Sequence, residues 1–219
     1  MFDLEKAQRM SLTLQVEARL KSALIVGALK PGARLVTKDI AEQLGTSITP
    51  VREALLRLVS SGALDATPAQ AFLVPEISLS RYQEITTIRK SLEVMAVTEA
   101  VRLMDADKLE RLRQLYDHFR TAKLSSSVEQ ALQANRTFRF QLYEYAQMPT
   151  LSVLIEQLWV RIGPCFNYLY PQSEETAQGH HNYDDLLEGL AGKDVNRCVK
   201  AILKSIDDGA TILMNQYFR

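Results

Sequence analysis

Cysteine is scarce in this chain, with only Cys165 and Cys198, and neither lies in metal-ligand spacing; both sit within helical patterns. A disulfide framework and a cysteine-built metal site are thereby excluded, and a reduced compartment is expected. Glycine and proline are also sparse, nine and seven in 219 residues, against average usage of roughly 7% and 5%. Few tight turns and long regular elements follow, which points to a helical protein. No apolar run approaches the roughly 20 residues that a bilayer span requires. The start, Met1-Phe2-Asp3-Leu4-Glu5, lacks the positive-then-apolar order of a signal peptide, so the expected location is cytoplasmic, with no membrane partner. Neither charge sign is in excess, since Lys+Arg and Asp+Glu each number 26, and no polybasic tail or acidic tract advertises a partner.

What is present is ordinary globular composition, 47% hydrophobic and 24% charged, in a length that favours two modest domains over one. A local bias lies beneath the neutral total. From Arg19 to Arg57 seven basic residues (Arg19, Lys21, Lys30, Arg34, Lys38, Arg52, Arg57) face three acidic ones (Asp39, Glu42, Glu53), a stretch suited to meeting an anion.

Apolar residues at Leu14, Ala18, Leu20, Leu24, Ile25 and Ala28 predict a helix over 12–29 that stops at Leu29-Lys30-Pro31-Gly32. Leu35 begins a short connection. Thr37 is placed to cap a short second helix, Lys38 to Leu44, which Gly45 ends. Thr46, Ser47 and Thr49 are cap candidates for a third, with Pro50 in its first turn and an apolar face of Val51, Ala54, Leu55, Leu58 and Val59. Helix, short glycine-containing turn and helix is the spacing of a helix-turn-helix. Ala63 to Ala66 and Phe72 to Val74 then form two short strands of a hairpin, making a winged helix that Pro75 closes. The fold class is therefore mainly α, with a winged helix-turn-helix domain over 1–76 and an all-α antiparallel helical bundle over 77–219. Its six or seven helices open at Ser80, at Asp105, after Ser125 to Ser127, at Pro149, at His180 and at Asp194, and Pro164 kinks or ends the fourth.

Three runs, Leu29-Lys30-Pro31-Gly32-Ala33-Arg34-Leu35, Ile40-Ala41-Glu42-Gln43-Leu44-Gly45-Thr46-Ser47 and Thr49-Pro50-Val51-Arg52-Glu53-Ala54-Leu55-Leu56-Arg57-Leu58, resemble the GntR family of bacterial transcription regulators. Arg89-Lys90-Ser91-Leu92-Glu93, Asn135-Arg136-Thr137-Phe138 and, more weakly, Leu186-Leu187-Glu188-Gly189-Leu190 with Asp194 resemble the all-helical FCD ligand-binding domain of its FadR-type subfamily. The resemblance covers nearly the whole chain. It implies a sequence-specific regulator of transcription, a repressor, acting as a homodimer on an imperfect palindromic operator in double-stranded DNA and governed by a small, unidentified effector.

An arginine in the first turn of a recognition helix can bond guanine O6 and N7 together, which makes Arg52 the expected base reader; pairing with Glu53 or Asp39 is the plainer alternative. Ser47 and Thr49 suit phosphate contact while capping the helix, and Arg34, Lys38 and Arg57 suit phosphate contact or a solvated face. Two departures stand out. Ile48 occupies a place where the family commonly has arginine, and its apolar side chain suits a thymine methyl. Gln70 and Ala71 stand where the wing commonly has arginine and glycine, which leaves Gln70 a weak contact.

In many FCD domains an Asp or Asn and three His hold a divalent ion, and the matching positions here are Asn135, Arg139, Tyr183 and Ser205. Arginine has no lone pair to donate at neutral pH and repels a cation, so no metal or other cofactor is expected. His180 and His181 are poor substitutes because adjacent helical residues point apart. The expected effector site is Arg89, Glu93, Asn135, Arg139, Tyr183 and Ser205. Arg89 and Glu93 form either a simple i,i+4 pair or part of an anion site. A buried Arg139 requires a counter-charge, from an acidic effector or internally from Glu93 or Glu144. Tyr168, Tyr170, Phe166 and Trp159 are expected in the core. Of the rival functions, an enzyme would use Arg139, Tyr183, His181 and Glu93, yet no catalytic grouping has recognisable spacing, and the chain is not expected to be one. A constitutive architectural DNA binder with a purely dimerising bundle is the nearer alternative.

Overall fold

A computed structural model describes residues 11–67, 71–124, 127–169 and 183–218. The winged helix comprises α1 (Leu12–Ile25), β1 (Arg34–Leu35), α2 (Thr37–Leu44), α3 (Ile48–Ser60), β2 (Asp65–Ala66) and β3 (Phe72–Leu73). Helix α1 ends at Ile25, short of the predicted Leu29, because the chain reverses through Gly27 in the left-handed region at φ 68°. Val36 rather than Thr37 is the N-cap of α2, and Thr37 is its first helical residue. Ser47 stands at the N-cap of α3 but makes no side-chain cap bond. The sheet has a third strand that the pattern does not reveal: β3 is central and antiparallel to both neighbours, with Leu35 opposite Phe72 and Asp65 opposite Leu73. A two-residue strand is too short for alternation to show, and burial of Leu35 and Phe72 holds it in place. Thr67 closes the wing by donating its hydroxyl to the Ala71 carbonyl at 3.0 Å.

The bundle has six α-helices among the described residues: α4 (Leu79–Leu103), α5 (Ala106–Lys123), α6 (Val128–Glu144), α7 (Pro149–Ile162), α8 (Asp184–Ala191) and α9 (Val195–Gln216), with a 3-10 segment, Gly163–Leu169, after α7. Their starts are chemically explicit. Ser78, Asp105, Ser127 and Asp194 each accept a backbone N–H in the first turn, and Pro149 leads α7. Ser78 thus caps α4 two residues ahead of the predicted Ser80, and α8 starts at Asp184, after the predicted His180. The 25-residue α4 is the spine, packed by α6, α7 and α9. Tyr168 is not core: it is 40% exposed and lies against Tyr217 at 4.9 Å between ring centroids. Tyr170, His180 and His181 fall outside the described residues. Among the described residues no helix is long and apolar enough to cross a membrane.

The two halves touch directly, because α1 packs against α7 and the 3-10 segment. At Gly163 the approach is so close that an added Cβ would lie 2.4 Å from the Leu24 carbonyl oxygen. Glycine is the residue that admits this contact.

Candidate functional site

Helix α3 is built as an inner and an outer face. Val51, Ala54, Leu55 and Leu58 are buried against α1, which leaves Ile48, Thr49, Arg52, Glu53, Leu56 and Arg57 outward. Thr13 of α1 donates its hydroxyl to Glu53 at 2.7 Å, and Glu17 of α1 meets Arg57 at 3.6 Å. These contacts fix the rotation of α3 on α1. Arg57 is thereby an intramolecular partner as well as a surface cation. Arg34 on β1, Lys38 in the first turn of α2, and Ser47, Ile48, Thr49 and Arg52 at the start of α3 are all exposed. Ile48 is 51% exposed and Leu56, two turns further on, is 48% exposed. Such apolar exposure along a face that also carries Arg52 suits contact with base edges and thymine methyls. Leu56 escapes a reading of the sequence because it resembles one more core leucine. Gln70 lies outside the described residues.

Inside the bundle, all six residues expected at the effector site are buried and join one hydrogen-bonded cluster. Glu93 of α4, with no solvent exposure, is its centre. Its Oε1 accepts from Arg89 Nε at 2.7 Å and Trp159 Nε1 at 2.8 Å. Its Oε2 accepts from Tyr143 at 2.5 Å and from Arg139 Nη2. Arg139 also donates from Nε to Tyr143 at 2.7 Å, and from Nη1 to Tyr183 at 3.2 Å and Ser205 at 3.1 Å. Tyr183 in turn donates to Asn135 Oδ1 at 2.8 Å. The internal counter-charge of Arg139 is therefore Glu93, whereas Glu144 is exposed. Arg89 both pairs with Glu93 and points into the bundle, with its guanidinium 4.7 Å from the Trp159 ring centroid.

Sequence reasoning missed two members. Tyr143 had a readable signal, one helical turn beyond Arg139. Trp159 comes from another helix and only the fold brings it in.

Burial pushes the Glu93 carboxyl up, but Arg89, Arg139 and the donors Tyr143 and Trp159 outweigh it and hold it below the ordinary carboxylate range. For Arg139, burial acts downward and is overcome by Tyr143, Tyr183 and Glu93, so it stays protonated. Burial, with Glu93 beside it, keeps the Tyr143 phenol protonated. Two guanidiniums thus share one carboxylate, leaving a net charge of +1 on the buried side chains of the described residues. Arg89 donates within the protein from Nε alone, so its terminal nitrogens have no acceptor among the described residues. A cavity of about 20 Å³ adjoins the cluster, lined by Arg89, Asn135, Arg139 and Ser205 with Trp159 and Phe166.

The positions that hold a divalent ion in related FCD domains do not fit one here. The Arg139 guanidinium fills the place and donates to the Tyr183 and Ser205 oxygens, and an ion there would meet a fixed positive charge. Among the described residues no group of three or more His, Cys, Asp or Glu converges.

Comparison with known proteins matches residues 12–74 to the family "Bacterial regulatory proteins, gntR family" and residues 84–208 to "FCD domain". The HTH-type transcriptional regulator McbR of Escherichia coli K12 is 47% identical over 216 residues, 98% of either chain. The solved structure of E. coli McbR/YncC superposes with a TM-score of 0.90 over 95% of this chain and 100% of that one. A GntR regulator structure from Rhodococcus sp. RHA1 shares the fold, with a TM-score of 0.76 at 19% identity over 95% of this chain and 100% of that one.

Proposed function

Because the chain belongs to the GntR family of bacterial transcription regulators, with a DNA-binding winged helix and an FCD domain, we propose that it is a repressor whose DNA affinity is set by a small anion. It works as a homodimer on an imperfect palindrome, since one recognition helix reads only a few base pairs and twofold symmetry doubles the site. The division of labour falls near residue 76: 1–76 bind the operator, and 77–219 dimerise and sense the effector in the cytoplasm.

The observation that carries this reading is the +1 interior. A buried cation without full neutralisation costs several kcal/mol, and an entering monocarboxylate would balance it by bonding the unused Arg89 nitrogens and the Asn135, Arg139 and Ser205 side. The present cavity of about 20 Å³ has room for about one water, far below the roughly 300 Å³ or more of ordinary ligand sites. Binding therefore requires the cluster to open, which is how an effector gains leverage over the fold.

DNA selected by the full-length chain from a random pool should converge on a palindrome and footprint both half-sites. A panel of two- to six-carbon monocarboxylates should then contain compounds that raise the melting temperature and change affinity for the selected DNA together. DNA binding that no compound alters would favour the constitutive architectural binder.

Elemental analysis of the purified protein should find no stoichiometric zinc, nickel or manganese. Arg139→His with Tyr183→His should begin to create metal affinity, by supplying two imidazoles where the chain has a cation and a phenol. One equivalent of metal in the unmodified protein would overturn this account of the cluster.

A further inference from the structure

One short stretch of chain touches both the buried cluster and the winged helix. Trp159, near the end of α7, donates to Glu93 at 2.8 Å. Two residues later Arg161 leaves the bundle and donates from Nε and Nη2, at 3.1 and 2.7 Å, to the carbonyl of Ser61. Ser61 is the C-cap of α3. In the 3-10 segment that follows, Gly163 lies against the Leu24 and Ile25 backbone. Phe166 meets the Trp159 ring edge-on at 5.5 Å and lies 5.7 Å from the Arg89 guanidinium. Asn167 donates to the Gly27 carbonyl just beyond α1. Within nine positions of sequence, Trp159 and Phe166 thus touch the cluster while Arg161, Gly163 and Asn167 touch the winged helix.

The chemistry of these contacts suits a positioning role. A guanidinium that grips a helix C-terminal carbonyl with two N–H groups makes a charge-assisted, directional bond and complements the negative end of the helix dipole. Asn167 grips α1, and α1 is tied to α3 by the Thr13–Glu53 and Glu17–Arg57 contacts. Arg161 therefore holds one end of the recognition helix, while Asn167 holds the helix it leans on. The residues expected to read DNA, from Ile48 to Leu56, precede the Ser61 end of α3 that Arg161 holds.

We propose that Arg161 and Asn167 are positioning residues that set the orientation of α3 on the bundle according to the arrangement of the Arg89–Glu93–Trp159 cluster. The linkage is mechanical, since a shift of Trp159 and Phe166 displaces backbone that also carries Arg161, Gly163 and Asn167. Its use in regulation rests on the effector reading given above.

The test is native-state hydrogen exchange on the full-length protein. Trp159→Phe keeps a ring beside Phe166 but removes one donor to Glu93. It should speed exchange at the amides of Gly27 and of Gly62 to Leu64, in the other half of the molecule. In an Arg161→Ala/Asn167→Ala background, Trp159→Phe should add nothing further at those amides, because the connection is already cut. Arg161→Lys, which can still reach the Ser61 carbonyl, should restore part of the response. Coupling is reciprocal, so Arg161→Ala should shift the emission of Trp159, the only tryptophan in the chain. If Trp159→Phe does not fold, Tyr143→Phe removes the other uncharged donor to Glu93 and serves in its place.

Unchanged exchange at Gly27 and Gly62 to Leu64, or effects that simply add in the triple variant, would overturn the proposal and leave the regulator reading standing. Failure to enrich any DNA from a random pool would instead strike at the regulator reading, and the exchange result would be unaffected by it.

Discussion

Replacing Glu93 by Gln is expected to cost about 3 to 5 kcal/mol of folding stability, the usual penalty for removing one member of a buried ion network and stranding the other charges. The neutral amide could still accept from Trp159 or Tyr143, but Arg89 and Arg139, both buried and both bonded to this carboxylate, would face each other without a counter-charge. The surface pair Arg197–Asp185 provides the contrast. It lies at 2.7 Å with both side chains well exposed, and Asp185→Asn should change stability by about 1 kcal/mol or less. Urea unfolding of the variants at neutral pH would measure both.

The pH dependence follows from the same carboxyl. Because the folded-state pKa of Glu93 is held below its ordinary value, the ionised group contributes stability above the unfolded-state pKa. That contribution is lost as pH falls through the folded value. Wild type should therefore lose stability in acid more steeply than Glu93→Gln, and the gap between them should narrow as pH drops. A gap below about 1 kcal/mol at neutral pH, against the several expected, would show that the two guanidiniums do not depend on Glu93.

The gathering of Asn135, Arg139, Tyr183 and Ser205 could be anticipated because related FCD domains place metal ligands at the corresponding positions, and a substituted site keeps its geometry while its chemistry changes. The pairing of Arg89 with Glu93 was readable from i,i+4 spacing, but its burial was not, since the same spacing on an exposed face gives an ordinary surface pair. Trp159 reads as a core aromatic, and only the packing of α7 on α4 turns its indole N–H into a ligand of Glu93. Arg161 and Asn167 are less legible still. They are polar residues near a helix end, and their partners are backbone carbonyls in another domain, which no local pattern encodes. Strand β1 was missed for the opposite reason, being too short for any periodicity, and it exists because β3 offers it a partner.

Arg52→Ala should weaken binding to the selected operator by about 1 to 3 kcal/mol and relax the preference at one base pair in each half-site, as the loss of a bidentate base contact does. The sequence places Arg52 beyond Pro50 in the first turns of α3, and packing of Val51, Ala54, Leu55 and Leu58 against α1 turns its side chain outward. Lys38 is exposed at the start of α2, outside the helix expected to enter the groove, and its expected contact is phosphate. Lys38→Ala should therefore weaken operator and random DNA alike and flatten the dependence of affinity on salt by about one counterion. The two substitutions remove the same formal charge, so electrostatics alone predicts identical behaviour. Affinities for the operator, for single-base variants of it and for random DNA, each measured at several salt concentrations, separate the cases. If Arg52→Ala lowered all of these affinities in proportion, Arg52 would be a phosphate contact, and base reading on α3 would pass to its exposed apolar neighbours Ile48 and Leu56.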